Sequence, residues 1–354
     1  MSPVVSPVVC LVVGPDGHGV TGTALAQAAA LGESGPVALV RCTGRPGVAE
    51  LATPVRRAEP GPVLVHVTDQ LFGTTPEEAA DVVVGLAAAL APERPLVLSL
   101  HDLPQASDGP ASAPRRARAY RRMAEAAAAV VVASRHEQRL LAACGVDRGA
   151  AGTQPCAVVP LPVPDLRGAP AADPDAAPRT VAVLGYLYPG KGHGQVLAAL
   201  DGLPAGIGLT AWGRPSAGHE DLGAELAGRA RALGRPFRVT GFVPDADLPG
   251  LLRSAVLPVA PHEHLSASGS INAWIGAGRR PLVPRSDYVL ELADRAPGCV
   301  WIYDDLRAAL AQAWADPRAT WRAHDGLAAP TAAAAAALLR PVLDRVAGRA
   351  ERTP

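Results

Sequence analysis

Lys191 is the only lysine among the 33 Lys and Arg residues of this 354-residue chain. It stands in Gly185-Tyr186-Leu187-Tyr188-Pro189-Gly190-Lys191-Gly192, directly after the apolar run 180–184. In a chain rich in Ala, Gly, Pro and Arg, coding pressure replaces lysine by arginine wherever either serves. A retained lysine marks a place where a compact ammonium with three donors is needed and a wide planar fork does not fit. A tight glycine-flanked turn facing a phosphate is such a place. The spacing nearly matches a Walker A loop between strand and helix, but that loop requires Ser or Thr after its Lys to ligate Mg²⁺. Here the residue is Gly192, and the candidate Walker B strand end, Trp301-Ile302-Tyr303-Asp304, lies far downstream. A P-loop-like NTPase is therefore an alternative rather than the main reading.

Other segments could share this chemistry. Ser266-Ala267-Ser268-Gly269-Ser270 precedes a helical run. The N–H groups of Ser268, Gly269 and Ser270 can hold phosphate oxygens, and Gly269 lets the backbone come close. The bland alternative is a turn with an N-cap. His101 follows a largely apolar strand, which places it at a carboxyl end facing a cleft, or bonded within its own turn. Asp245-Ala246-Asp247 follows Pro244 at a helix start, so capping explains it better than a metal. Arg115 to Arg122 puts five arginines on one helix. That is a solvated face or, through Arg115, Arg118 and Arg122, a contact for an anionic acceptor or a peripheral membrane surface.

The elements that must position these residues alternate. Strands are expected at 7–13, 36–41, 62–67, 95–100, 128–133 and 156–160, with helices near 20–31, 75–91, 114–127 and 135–144. Continuous apolar strands fit a parallel sheet covered on both faces. A proline-rich stretch, 165–179, reads as a linker. Strands then recur at 180–184, 206–212, 236–240, 255–259, 280–283 and 298–302. The expected organisation is an amino-terminal Rossmann-like domain (1–164), the linker, a second Rossmann-like domain (180–330), and a helical tail (331–354). The fold class is α/β, with two doubly wound parallel sheets facing a central cleft, where ligands of such sheets collect.

Composition sets limits. Hydrophobic residues make up 49% and aromatics only 4%, so the core is built of Ala, Val and Leu. Formal net charge is zero, against a protein that coats nucleic acid. Five cysteines without a C-x-x-C pair suggest a reduced, cytoplasmic chain with no zinc or disulfide framework. No apolar run reaches the roughly 18 residues of a spanning helix.

In order, the Gly-rich loop with Lys191, Trp212-Gly213-Arg214, Thr240-Gly241-Phe242, Pro261-His262-Glu263 and the 266–270 segment resemble the donor domain of GT-B glycosyltransferases. The particular group is the retaining one that includes glycogen and sucrose synthases and bacterial mannosyltransferases. The likeness covers most of the chain, and in the first half rests on residues 14–22, 65–69 and 97–102. It implies a metal-independent transfer of sugar from a nucleotide-diphosphate donor, with retention, to a small-molecule, glycan or lipid-linked acceptor. No cofactor is implied, the nucleotide sugar being substrate. By the same likeness His101, Lys191 and Glu263 are catalytic. Gly17 and Gly19 approach the diphosphate from the first domain, while Tyr186, Gly190, Gly213, Phe242, Ser268, Gly269, Ser270 and Asn272 bind the donor. Two positions depart from the pattern. Tyr186 stands where the family usually has Arg, with Tyr188 nearby. Ile271 stands where the second acid of E-x7-E should be, leaving uncharged Asn272 to reach ribose. A non-catalytic nucleotide-sugar or partner-binding relative is the alternative.

Overall fold

A computed structural model describes residues 6–146, 156–168, 180–322 and 330–350. These form two compact units, one made of 1–162 together with 332–354, the other of 163–331. The division departs from the sequence expectation in one respect, because the carboxy-terminal helix joins the first unit instead of standing apart. Part of the expected linker, 169–179, lies outside the described residues.

In the first unit the strands are β1 (Val8–Val13), β2 (Val37–Cys42), β3 (Val63–Val67), β4 (Leu96–Leu100), β5 (Ala129–Val132) and β6 (Cys156–Val158). The helices are α1 (Gly19–Gly32), α2 (Val48–Arg57), α3 (Asp69–Phe72), α4 (Pro76–Leu90), α5 (Ser112–Ala126) and α6 (Arg135–Ala143). The sheet is parallel throughout, in the order β2-β1-β3-β4-β5-β6. Alternate residues of each strand divide between its two faces. Val9, Leu11, Val65, Leu98 and Val130 pack with Leu51, Val83, Leu86 and Met123 from α2, α4 and α5. Val8, Cys10, Leu64, Val97 and Val131 face the other way, against Ala28 and Leu31 of α1 and Leu339 and Leu343 of the tail helix. One helix does not cover that second face, which is why the tail returns to it.

The second unit holds β7 (Thr180–Leu184), α7 (His193–Ala199), β8 (Gly208–Trp212), α8 (Leu222–Ala232), β9 (Phe237–Val239), α9 (Leu248–Ser254), β10 (Leu257–Val259), α10 (Gly269–Gly276), β11 (Leu282–Pro284), α11 (Asp287–Arg295), β12 (Trp301–Tyr303) and α12 (Leu306–Ala315). The tail helix of the first unit is α13 (Ala332–Ala350). Strand order is β12-β11-β10-β7-β8-β9. Numbered within the unit this is 6-5-4-1-2-3, the Rossmann order read from the other edge, and its switch point lies between β7 and β10. Lys191 follows β7 and Glu263 follows β10, so the topology places both at the crevice where such sheets bind ligands.

Arg279 staples this unit together. It is fully buried, and its guanidinium donates to the carbonyls of Leu252 (3.1 Å), Ala255 (2.6 Å) and Val256 (3.3 Å) and to Thr320 Oγ1 (2.9 Å). The group lies 4.2 Å from the centre of the Trp321 ring. These carbonyls end α9 and lead into β10, so one side chain satisfies acceptors that the turn leaves open. Arg279→Met keeps most of the apolar stem and strands the carbonyls. We expect it to lower unfolding stability by roughly 3 kcal/mol, since each buried unsatisfied group costs about 1–3 kcal/mol. Urea unfolding measures this, and a loss well under 1 kcal/mol would show that the turn finds other partners.

Candidate functional site

The site in the second unit begins with a close approach of two loops. Gly192 caps α7 with φ +88°, and a β-carbon there would lie 2.1 Å from the Pro261 carbonyl oxygen. Only glycine allows the turn after β7 to rest on the segment after β10. The same contact explains why no Ser or Thr follows Lys191, and it removes the hydroxyl that a P-loop would need for Mg²⁺. A second contact of this kind holds the turn from the other side. A β-carbon on Gly213, after β8, would lie 2.0 Å from the Gly185 carbonyl oxygen, while Gly185 N–H donates to Trp212 at 2.9 Å.

The Lys191 side chain is thereby aimed inward. It is only 4% exposed, and Nζ lies 2.7 Å from His262 Nε2 and 3.3 Å from Ser270 Oγ. No carboxylate pairs with it among the described residues. Burial alone pulls the amine down to about 7. Burial, followed by the Lys191 charge, holds His193 at about 3 and His262 well below its ordinary value. His262 is therefore neutral at physiological pH, and its Nε2 lone pair accepts from the ammonium.

Ser268 and Ser270 sit beside this amine at the start of α10. Ser268 Oγ accepts the Ile271 N–H at 3.2 Å as N-cap and lies 3.0 Å from Ser270 Oγ. Gly269 opens the helix and is exposed, with open space where a β-carbon would stand. The structure thus brings Lys191, Ser268, Gly269 and Ser270 together. Asn272 lies one turn further on, buried at 3%, and Ile271 is fully buried in the core.

Glu263 is tied to the same turn by its N–H, which donates to the Gly190 carbonyl at 2.9 Å. Its exposed carboxylate accepts from Gln195 Nε2 at 3.0 Å. It borders an open cavity of about 670 Å³, whose wall also carries His262, Tyr303 and the bidentate Arg285–Asp304 pair (2.8 and 3.1 Å). Across the sheet, Phe242 is 58% exposed. The Arg214 guanidinium lies 6.0 Å from the Phe242 ring centre and 5.7 Å from that of Tyr186. Arg214 and His262 are not among the site residues expected from sequence, although both stand beside ones that are, Gly213 and Glu263.

In the first unit, β1 and β3 flank the switch point. Gly17 has φ +81°, which its turn requires, and His18 caps α1 through Nδ1, accepting from Val20 N–H at 3.2 Å. Gly19 opens α1 with open space around it, so no protein neighbour demands glycine there. His101 follows β4 and is 7% exposed. Its N–H donates to Val67 at 2.8 Å and its carbonyl accepts from the Tyr120 hydroxyl at 2.7 Å. The next residue, Asp102, is left-handed (φ 51°), and its carbonyl is held by Arg116 at 2.6 Å.

The helix α5 arginines are largely engaged. Arg115 pairs with Glu77 at 2.7 Å and Arg122 with Asp81 at 2.7 Å, both across to α4. Arg116 is bound to Asp69 and Asp108, and Arg121 to Glu125. Arg118 is exposed beside Glu77. Among the described residues no helix is long and apolar enough to cross a membrane, and no group of three or more His, Cys, Asp or Glu could hold a metal ion.

No protein-family model and no curated protein matches the chain. Solved structures do. Anabaena HepE in complex with UDP and glucose is similar with a TM-score of 0.70 at 17% identity over 98% of each chain. AviGT4, a glycosyltransferase involved in avilamycin A biosynthesis, is similar at 0.62 and 18% identity, over 97% of this chain and 98% of that one. Sucrose-phosphate synthase from Thermosynechococcus elongatus is similar at 0.61 and 14% identity over 98% of both. At these identities the likeness is one of fold, and the fold is that of the GT-B glycosyltransferases.

Proposed function

We propose that the protein transfers a sugar from a nucleotide-diphosphate donor, held in the second unit, to an acceptor hydroxyl, with retention of anomeric configuration and without a metal. The observation that carries this reading is the Lys191 ammonium, buried without a carboxylate over the Ser268-capped start of α10. Such an amine is costly to bury in the free protein, and an anion would restore its charge. A diphosphate fits, because the free N–H groups of a helix start lie beside the cation. Anabaena HepE, of the same fold, is known in complex with UDP-glucose, which makes that donor the first to try.

In this reading the anomeric carbon–oxygen bond to the diphosphate breaks as the acceptor oxygen bonds that carbon. The leaving phosphate takes the acceptor's proton on the same face, so no side-chain nucleophile is needed. Lys191 and the α10 N–H groups stabilise the charge that develops on the diphosphate. Glu263, on the wall of the cavity, accepts from hydroxyls of the sugar, and the likeness to the GT-B glycosyltransferases gives His101 a contact to a sugar hydroxyl. Tyr186, Phe242 and the Gly213 turn take the nucleoside. Tyr186 and Ile271 in place of the family's usual cation and second acid favour one second reading, a relative that binds nucleotide sugar without transfer. Slow hydrolysis of UDP-glucose in the absence of acceptor is expected from an active enzyme, and its complete absence supports the binding reading.

Lys191→Ala should lower turnover by two or more orders of magnitude, because charge stabilisation at a leaving group is worth roughly 3–4 kcal/mol. Steady-state rates within a few-fold of the parent would remove Lys191 from the reaction. Activity should also survive EDTA, and an absolute requirement for added Mg²⁺ or Mn²⁺ would overturn the metal-free proposal.

Binding should also move a proton. The free amine, held at about 7, is mostly neutral at pH 8, whereas a bound diphosphate raises it and keeps it charged. UDP binding at pH 8 should therefore take up close to one proton. Uptake should vanish near pH 6, where the free amine is already charged, and in Lys191→Met. Calorimetry in buffers of different ionisation enthalpy measures this, and pH-independent uptake would contradict the site.

A further inference from the structure

The core of the first unit contains a polar chain that the transfer reading does not use. His66 on β3 is 4% exposed and Gln27 on α1 is 6% exposed. Gln27 Oε1 lies 2.7 Å from His66 Nε2, and His66 Nδ1 lies 2.9 Å from His101 Nε2. The two imidazoles are nearly coplanar, 19° apart, with centres 5.1 Å from one another. Ser99 Oγ lies 3.4 Å from the same His101 Nε2. A row of buried side-chain hydrogen bonds between a helix and two strands is an expensive way to fill an otherwise apolar sheet face.

The chain has a direction. The Gln27 carbonyl oxygen is an acceptor only, so the hydrogen between it and His66 belongs to His66 Nε2. A neutral His66 then has its lone pair on Nδ1, which can only accept. The hydrogen between the rings must therefore sit on His101 Nε2. His101 is left with a lone pair on Nδ1, the nitrogen that has no protein partner among the described residues. Protonating either ring would place a second hydrogen in the chain, and burial disfavours that. It holds His101 at about 4 and His66 well below its ordinary value. The other titratable groups facing His101 are His18 and Asp102. The His101 backbone is pinned on both sides by Val67 and Tyr120, so the one freedom left to this residue is the position of its proton.

We propose that Gln27 and His66 are positioning residues that fix His101 as the Nε2–H tautomer and so present Nδ1 as a hydrogen-bond acceptor for a hydroxyl of the substrate. This inference rests on the reading of His101 as a sugar-contacting group. It adds that the ring takes a hydroxyl's hydrogen bond and does not donate one. A tautomer set by the bond at the far nitrogen is the usual means of orienting a functional histidine.

Long-range proton–nitrogen NMR of the ligand-free protein at pH 7.5 tests the tautomer directly. Both His66 and His101 should carry the hydrogen on Nε2, and an Nδ1–H signal for His101 would overturn the proposal. Gln27→Leu removes the acceptor at the head of the chain. His101 should then populate both tautomers, and kcat should fall about 10–100-fold, the range for partners that orient a ligating histidine, with the donor KM little changed. An unchanged His101 tautomer or an unchanged kcat in Gln27→Leu would reduce the chain to a packing feature. A parent protein that shows this tautomer but transfers no sugar would overturn the transfer reading instead, together with the role given to Nδ1.

Discussion

The contact between Gly192 and the Pro261 carbonyl is the constraint on which the second unit's site depends. It joins the turns that follow β7 and β10, the two strands that flank the switch point. Because the turns touch, Lys191 is folded under His262 and against Ser270 instead of reaching into solvent, as a long flexible side chain otherwise would. Glu263 is set by the same contact through its N–H bond to Gly190. A side chain at position 192 would part the turns and undo these placements together. The absence of a Walker hydroxyl is therefore a packing requirement of this loop pair.

Much of the fold is legible in the sequence because the strands are so uniformly apolar. Each predicted strand has an observed counterpart, displaced by at most a few residues. The prolines at the expected starts of several of them show why the starts shift. Pro36, Pro62 and Pro95 lack an N–H, so they stand just before their strands, yet their carbonyls already accept from Val8, Val9 and Val63. Helix α2 was not legible, since Pro54 lies inside it and its polar and apolar residues are mixed over only ten positions. The return of α13 to the first unit was not legible either. Its alanine-rich pattern announces a helix, but only the three-dimensional sheet shows which apolar face still lacks a cover.

The sites divide in the same way. Lys191, Ser268 and Ser270 could be read because chemistry and local spacing coincide within short segments. His66 and Gln27 could not, since they are 39 residues apart and each looks like an isolated polar residue in an apolar element. The α5 arginines show the opposite case. As a string they suggest a basic patch, but their register against α4 sets Arg115 on Glu77 and Arg122 on Asp81. Exposed pairs of this kind contribute little to stability, about 0–1 kcal/mol, and Arg118 between them stays exposed.

The two units handle buried bases differently, and under the proposed function the difference follows from what each would bind. In the first unit every bond of the Gln27–His66–His101 chain is neutral, so it is stable without ligand and changes little when a neutral hydroxyl arrives. In the second unit Lys191 has a neutral histidine and the Ser270 hydroxyl about it and no carboxylate among the described residues. Its charge is incompletely compensated until a diphosphate binds. A carboxylate at that position would make the free protein more stable, but it would compete with the ligand for the same cation and repel its charge. Leaving the amine without an ion-pair partner keeps the compensating anion outside the protein, and couples the charge state of the site to occupancy by the donor.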